Sequence, residues 1–256
     1  MGGGGAMPRF FVEKGTVRDG RTVVISGEDA KHISLSLRSK PGESFTVCDE
    51  EGTEYDCVVS EITKNEVYLD VVSLQACKSE PSVSVTLYQA LAKSDKFESI
   101  IQKSVELGVT KIVPVLTERC ISRPDDSSAA KKLERWRKIA KEAAMQSGRG
   151  ILPEIAQVVS FAQALEHMKK DDCFFVCYED FSHTPLTKVV NEARSKGEIK
   201  TLSFGVGPEG GISDKEAQLC RDCSVSLAGL GPRILRTETA PLCVLSAVML
   251  MTGNLD

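Results

Sequence analysis

Short alternations of hydrophobic and polar positions run through residues 9–73, and turns separate them. Alternation with a period of two is typical of β-strands, and Pro41-Gly42 and Glu51-Gly52 supply turns. The predicted strands are Phe10–Val12, Thr22–Ile25, Ser44–Val47, Tyr55–Val59 and Val67–Val72, and a short helix fits Glu28–Leu37. This pattern predicts a small β-barrel with little room for a deep pocket, and therefore a binding module.

From residue 83 onward, strand-like and helix-like periods alternate along the chain. Val83–Leu87 alternates as a strand, and apolar residues then recur at helical spacing over 97–107. The further predicted strands are 112–116, 173–178 and 201–206, and the further helices are 129–147, 186–196, 214–223 and 242–251. Such alternation predicts an α/β fold with a parallel sheet. The polar stretch Gln75–Pro81 marks the boundary, which gives domains 7–74 and 82–256.

Composition narrows the classes of protein that this chain can represent. Of its 256 residues 41% are hydrophobic and 27% are charged, and no apolar run approaches the length of a membrane span. We interpret Met1–Ala6 as an expression scar, because it lacks the apolar core of a signal peptide. The nine cysteines and three histidines show no zinc spacing, so we expect no metal. Nothing in the sequence indicates secretion, so we expect reduced, mostly buried cysteines and a cytoplasmic protein.

The charge distribution bears on contacts with nucleic acid. A net charge of −4 argues against a protein that coats nucleic acid through bulk charge. Basic residues nevertheless cluster between Lys131 and Arg149. This cluster is either a solvated helix face or a surface that engages a phosphate backbone at one place.

The first candidate ligand loop follows the strand predicted over 201–206. Residues 204–213 read FGVGPEGGIS, with four glycines within seven residues, and Ser213 with Glu216 forms a capping-box pattern for the next helix. Glycines here let the backbone approach a ligand closely, although an ordinary turn between a strand and a helix would also fit. The loop contains no G-K-[ST], which excludes a P-loop, although residues 205–210 (GVGPEG) match G-x-G-x-x-G.

The second candidate loop spans residues 227–241 and also leads from a strand into a helix, with Pro241 in the first helical turn. Arg233 and Arg236 flank Ile234 and Leu235, so we expect the apolar pair to point inward and the arginines to face a ligand. The planar fork of Arg236 suits the stabilisation of a developing negative charge. A surface or capping role is the alternative for an arginine at a helix entry.

Together the two loops closely resemble a known family. G-P-E-G-G followed by L-G-x-R-I-L-R-T-E-T-A is similar to the bacterial family that methylates N3 of a uridine in 16S ribosomal RNA. Further matches are Met7–Phe11, Lys93–Gly108 and Glu142–Arg149, so the resemblance covers nearly the whole chain. Cys120, after Glu118-Arg119, departs from the serine that is usual in the family.

The resemblance implies a fold, a cofactor and partners. The fold is a SPOUT α/β-knot, a parallel sheet with a C-terminal trefoil knot, preceded by a small PUA-like or OB-like barrel. Members use S-adenosylmethionine, act as homodimers and modify 16S rRNA, here with the assembled small subunit as the expected substrate. The residues expected to bind the cofactor are Gly205, Gly207, Pro208, Glu209, Gly210, Leu230, Gly231, Ile234, Leu235, Arg236 and Thr237.

Methylation at N3 requires that the uridine lose its N3 proton. We assign stabilisation of the resulting anion to Arg236, with Arg119 and Arg149 as supporting candidates, while Glu238 acts as the base or orients an arginine. The residues expected to contact RNA are Arg9, Lys93 and Arg149. A methyltransferase of this class with a tRNA target, and a non-catalytic RNA-binding or assembly protein, remain as alternatives.

Overall fold

A computed structural model of the chain describes residues 7–13, 16–49, 52–123, 126–179 and 184–255. Contacts divide the chain into two compact units. The first contains residues up to Glu80 together with Ala144–Leu152, and the second contains Pro81–Ala143 and the residues from Pro153 onward. The predicted ranges 7–74 and 82–256 do not include this return of the chain to the first unit, and the predicted scar Met1–Ala6 lies outside the described residues.

The first unit is a six-stranded sheet with the order β1-β4-β5-β6-β3-β2. Its strands are β1 Arg9–Phe11, β2 Val17–Arg18, β3 Thr22–Ser26, β4 Ser44–Cys48, β5 Thr53–Ile62 and β6 Glu66–Ala76. All pairs are antiparallel except β1 with β4. Helix α1, Gly27–Lys31, continues as a π-helical turn over His32–Ser36. The five predicted strands and the helix are confirmed, with shifted ends.

The core of this unit shows why the alternating pattern folds as it does. Phe10, Val23, Phe45 and Leu69 point to one face and are at most 1% exposed. Register shifts in the pairing of β5 with β6 disturb the ladder twice, and such irregularities increase the bend of a strand. The sheet therefore curls around its apolar face.

The second unit is an eight-stranded sheet in which every pair is parallel. Its strands are β7 Ser84–Ala90, β8 Lys111–Leu116, β9 Glu154–Ile155, β10 Val159–Ser160, β11 Cys173–Cys177, β12 Thr184–Pro185, β13 Thr201–Val206 and β14 Ser226–Gly229. The helices are α2 Ser94–Glu106, α3 Asp126–Ser147, α4 Phe161–Met168, α5 Leu186–Arg194, α6 Asp214–Asp222 and α7 Ala240–Met251. The predicted α/β fold with a parallel sheet is confirmed.

Strand order decides where a ligand can bind in this sheet. The order is β10-β8-β7-β13-β11-β14-β12, with β9 paired to β8. Strands β13, β11 and β14 are therefore neighbours, and their carboxyl ends at Val206, Cys177 and Gly229 lie along one edge. Ligands of parallel α/β sheets bind in crevices at this edge.

The described residues contain neither a disulfide nor a group of side chains that could hold a metal ion. All nine cysteines are free, and burial raises the pKa of the Cys48, Cys57 and Cys220 thiols to about 12, so these thiols stay protonated. Across the described ranges, no three potential metal-ligating side chains gather in one place. No helix within those ranges is long and apolar enough to cross a membrane.

Candidate functional site

A cleft of about 380 Å³ opens at the carboxyl edge of the parallel sheet. Its walls come from the end of β11 at residues 177–179, from the loop after β13, and from residues 230–237 between β14 and α7. Lys96 of α2 and Ala240 of α7 complete the lining. The two glycine-bearing loops, far apart in sequence, thus form one cleft.

The first loop, defined here as residues 207–213, needs glycine at two positions for steric reasons. A Cβ on Gly207 would lie 3.1 Å from the carbonyl carbon of Gly211 and from the nitrogen of Ile212. Gly211 has a φ of +71°, a conformation that other residues rarely adopt. Its N–H donates to the carbonyl of Pro208 at 2.9 Å, which closes the turn. The loop backbone therefore forms a tight wall of the cleft.

The carboxylate of Glu216 and the guanidinium of Arg119 support this loop through hydrogen bonds. The predicted capping box of Ser213 with Glu216 at the start of α6 is confirmed. Glu216 Oε1 also accepts the N–H of Glu118 at 2.8 Å. Arg119 donates through one terminal nitrogen to the carbonyls of Gly210 at 2.9 Å and Ile212 at 3.3 Å. Arg119 thus supports the loop and is not part of the cleft lining.

The second loop, defined here as residues 230–239, is joined to the first by a buried hydrogen-bond chain. Thr237 Oγ1 donates to the carbonyl of Gly207 at 2.7 Å and accepts from Gln89 Nε2 at 3.1 Å. Gln89, at the end of β7, is fully buried, and its Oε1 has no partner among the described residues. These hydrogen bonds from Gln89 through Thr237 to Gly207 hold the two walls of the cleft at a set spacing.

The arginines of the second loop face open space. Arg233 and Arg236 are exposed, line the cleft and form no ion pair or side-chain hydrogen bond with the described residues. Ile234 also lines the cleft but is 79% exposed, so the expectation that it points inward is wrong. The loop is irregular, and the alternation that orients side chains in a strand does not apply to it.

A lysine joins the carboxylates of the two loops. Lys96 Nζ lies 3.3 Å from Glu238 Oε2 and 3.8 Å from Glu209 Oε1. Glu209 Oε1 also accepts the backbone N–H of Lys93 at 3.2 Å. Glu238, the candidate base or orienting group for an arginine, pairs with a lysine and is not part of the lining.

Two predicted cofactor glycines lie beside the cleft and not in its lining. A Cβ on Gly205 would meet the Val176 side chain at 3.0 Å, and one on Gly210 would meet Arg119 Cβ at 3.2 Å. Gly207, Pro208, Glu209, Leu230, Gly231, Ile234, Leu235, Arg236 and Thr237 all line it. Nine of the eleven residues expected to bind the cofactor therefore share one surface.

The residues expected to contact RNA are mostly engaged within the protein. Arg9 bonds to Glu54 at 2.6 Å, and its side chain is 15% exposed. Arg149 is 3% exposed and binds Glu80 through two nitrogens. Both pairs belong to the first unit, whereas Lys93 is exposed in the second. RNA contact by these residues stays a prediction, which the burial of Arg149 disfavours.

Outside the two predicted loops, sequence reasoning missed five residues of the site and its support. Those residues are Gln89, Lys96, Cys177, Tyr178 and Glu179. The signal for three of them was available, because β11 ends at the same edge as β13 and β14 and its end is a candidate for a ligand contact. Lys96 lies within the family-like segment Lys93–Gly108, but nothing in that segment placed it at the cleft, and Gln89 had no signal in the chain.

A parallel sheet with one cleft built from two loops at its carboxyl edge defines a ligand-binding α/β domain of the kind found in many enzymes. The sequence model of the family described as "RNA methyltransferase domain" matches residues 78–249, and that of the "RNA methyltransferase PUA domain" matches residues 25–72. The chain belongs to this RNA methyltransferase family.

Individual relatives agree with that assignment. The chain is 37% identical over 251 residues to the "Ribosomal RNA small subunit methyltransferase E" of Bacillus subtilis (strain 168), covering 96% of this chain and 97% of the relative. It is 32% identical over 241 residues to the protein of the same name from Aquifex aeolicus, covering 94% and 98%. A crystal structure of the Neisseria gonorrhoeae protein of that name, bound to S-adenosyl methionine, matches with a TM-score of 0.85 and 30% identity over 96% of this chain and 98% of that chain.

Proposed function

We propose that the chain transfers a methyl group from S-adenosylmethionine to N3 of a uridine in 16S ribosomal RNA. The observation that carries the proposal is the single cleft formed by the two glycine-bearing loops. A volume of about 380 Å³ lies within the range of sites for small ligands and cofactors. The family membership and the S-adenosyl methionine bound to the Neisseria gonorrhoeae relative support the same cofactor.

The residues of the cleft fit this cofactor. Gly207 presents bare backbone that a Cβ would crowd, which suits close approach of a ligand to the main chain. Leu230, Ile212 and Pro208 offer apolar surface, while Glu179 and Glu209 offer carboxylates to the hydroxyl and amino groups of the donor. The nine lining residues named above would hold the cofactor, and Gly205 and Gly210 would shape the first loop.

When bound, the cofactor supplies an electrophilic methyl group on a sulfonium. The protein must then align the uridine and stabilise the anion left when its N3 proton departs. Arg236 suits that task, because its guanidinium lines the cleft and is not engaged by other described side chains. Arg119 contributes indirectly, since its donors hold the first loop. Glu238 is held by Lys96 and accepts the proton only if the bound RNA brings N3 within reach.

The remaining parts of the proposal concern the fold and the partners. The second unit would tie the trefoil knot of a SPOUT domain, and the first would be a PUA-like barrel that binds RNA, as the match to residues 25–72 supports. Exposed basic residues of α3, which include Arg135, Arg137 and Lys138, would meet the phosphate backbone. The enzyme would act in the cytoplasm as a homodimer on the assembled small subunit.

Incubation with methyl-labelled S-adenosylmethionine and undermethylated small ribosomal subunits tests the proposal. We expect label on one uridine of 16S rRNA, at N3 by nucleoside analysis, and no label when the cofactor is omitted. Parallel reactions with protein-free rRNA and with tRNA separate the possible substrates. Label on tRNA alone would replace the target, and failure to bind the cofactor in calorimetry would favour a non-catalytic RNA-binding protein.

A further inference from the structure

Lys96 lies where the two loops of the cleft meet α2. Its ammonium is 3.3 Å from a carboxylate oxygen of the second loop, on Glu238, and 3.8 Å from one of the first loop, on Glu209. The Lys96 side chain is 24% exposed, so water screens these two contacts less than it screens surface ion pairs. The Lys96 ammonium therefore interacts with one carboxylate from each of the two loops.

The contact between Lys96 and Glu238 is important because it compensates the charge of a buried oxygen. Glu238 Oε2 is buried and has no hydrogen-bond partner among the described residues. The Lys96 ammonium is therefore its compensating charge within the described part of the chain. Removing Lys96 would leave this buried oxygen without a compensating charge, at a cost that is reduced because the Glu238 side chain as a whole is 30% exposed. Without Lys96, we expect the second loop to shift so that Glu238 Oε2 gains contact with water.

Helix α2 contacts the other carboxylate, that of Glu209, through two groups. The backbone N–H of Lys93 donates to Glu209 Oε1, and the Lys96 ammonium lies one turn further along the helix. A carboxylate is stabilised at this end of a helix by the helix dipole. Helices α2 and α7 also pack against each other, so the support of both loops is anchored in the core of the unit.

We propose that Lys96 is a positioning residue, which holds the second loop against the first through Glu238 and Glu209. Because Arg236 lies two residues before Glu238, this contact sets where the Arg236 guanidinium stands in the cleft. The inference deepens the proposed function and rests on it for the consequence in catalysis. Its structural part, the restraint of residues 230–239, stands independently.

Hydrogen–deuterium exchange and methyl-transfer rates on five full-length proteins test this inference. The proteins are the wild type, Lys96→Met, Lys96→Arg, Glu238→Gln and the Lys96→Met, Glu238→Gln double variant. In Lys96→Met we expect amides of residues 230–239 to exchange about tenfold faster and methyl transfer at saturating cofactor to slow by about tenfold. Lys96→Arg should restore most of both, because it keeps the charge.

The double variant separates positioning from direct contact with a ligand. If Lys96 acts mainly by compensating Glu238, replacing Lys96 should change exchange much less once Glu238 is neutral, because only the 3.8 Å contact with Glu209 is then lost. Equal effects of Lys96→Met in both backgrounds would overturn the inference. Lys103→Met is the matched control, since Lys103 forms an ordinary ion pair with Glu106 on the same helix and should leave the loop unchanged.

The two proposals fail in different ways. A wild type that neither binds the cofactor nor transfers methyl would overturn the proposed function, and the exchange result would still decide whether Lys96 restrains the loop. An active wild type in which Lys96→Met matches Lys103→Met in exchange and rate would overturn the inference alone. Circular dichroism and thermal unfolding identify any variant that has lost its fold.

Discussion

Gly207→Ala gives the sharpest test of the cleft, because its magnitude follows from local geometry. The added Cβ would lie 3.1 Å from two backbone atoms and 3.2 Å from Ile212 Cδ1. The backbone atoms belong to a turn closed by a 2.9 Å hydrogen bond from Gly211 to Pro208, and the capped helix α6 follows. Because the turn and the helix restrain Gly211 and Ile212, these residues cannot move away independently of the loop. The loop backbone as a whole must therefore shift by a few tenths of an ångström.

Overpacking of this kind costs about 1–3 kcal/mol. If the bound cofactor needs the unshifted loop, that cost appears in binding, and the Kd for S-adenosylmethionine should rise roughly 5-fold to 150-fold. Titration calorimetry measures this change, and thermal unfolding shows whether the fold is retained. Wild-type affinity in a folded Gly207→Ala protein would refute the argument that this backbone forms the wall of the cofactor site.

Gly210→Ala is the matched comparison within the same loop. Its Cβ would meet the exposed Arg119 side chain at 3.2 Å and lies outside the lining of the cleft. We therefore expect a smaller loss of cofactor affinity, about threefold or less, because the crowding arises outside the wall that would contact the cofactor. A larger loss in Gly210→Ala than in Gly207→Ala would contradict the assignment of the wall.

Three further variants or conditions probe other parts of the structure. Arg236→Ala should lower the rate of methyl transfer by about 100-fold or more with cofactor affinity within a few fold, and equal losses in both would move Arg236 to cofactor binding. Thr237→Val should cost about 1–3 kcal/mol in urea unfolding because it breaks the chain from Gln89, whereas Thr237→Ser should keep it. Burial alone would raise the pKa of Glu80, but hydrogen bonds and charge from Arg149, with two backbone N–H groups, hold that pKa below its usual 4.5. The stability from this pair is therefore present above pH 4.5 and lost as the pH falls through the lower folded pKa, and an Arg149→Met protein should lose this pH dependence in denaturant titrations.

The sequence predicted the fold best where periodicity was long. The ten-residue strand Thr53–Ile62 and the 22-residue helix Asp126–Ser147 both contain the predicted segments. The short strands β9, β10 and β12 have two residues each, which is too few for a period to show. Helix α4 was also missed, although Ser160 and Gln163 form a capping box at its start.

The cleft was predictable in part for the same reason. Both loops carry glycines between a strand and a helix, a local signal that a single sequence can show. The pair of Lys96 with Glu238 carries no such signal, since it depends on how α2 packs near the start of α7. The exposure of Ile234 was also beyond pattern reasoning, because irregular segments have no period that assigns a face.

The arginines show what structure adds to an assignment of roles. The sequence offers Arg236 for catalysis, Arg119 as its support, and Arg149 both as support and for RNA contact, with little to distinguish the three guanidinium groups. In the structure, Arg149 binds Glu80, and Arg119 binds two loop carbonyls. Turning either side chain toward a developing anion would leave its present acceptors without partners, at a cost of about 1–3 kcal/mol for each buried group. Arg236 has no such cost, which supports its proposed role in stabilising charge in the cleft.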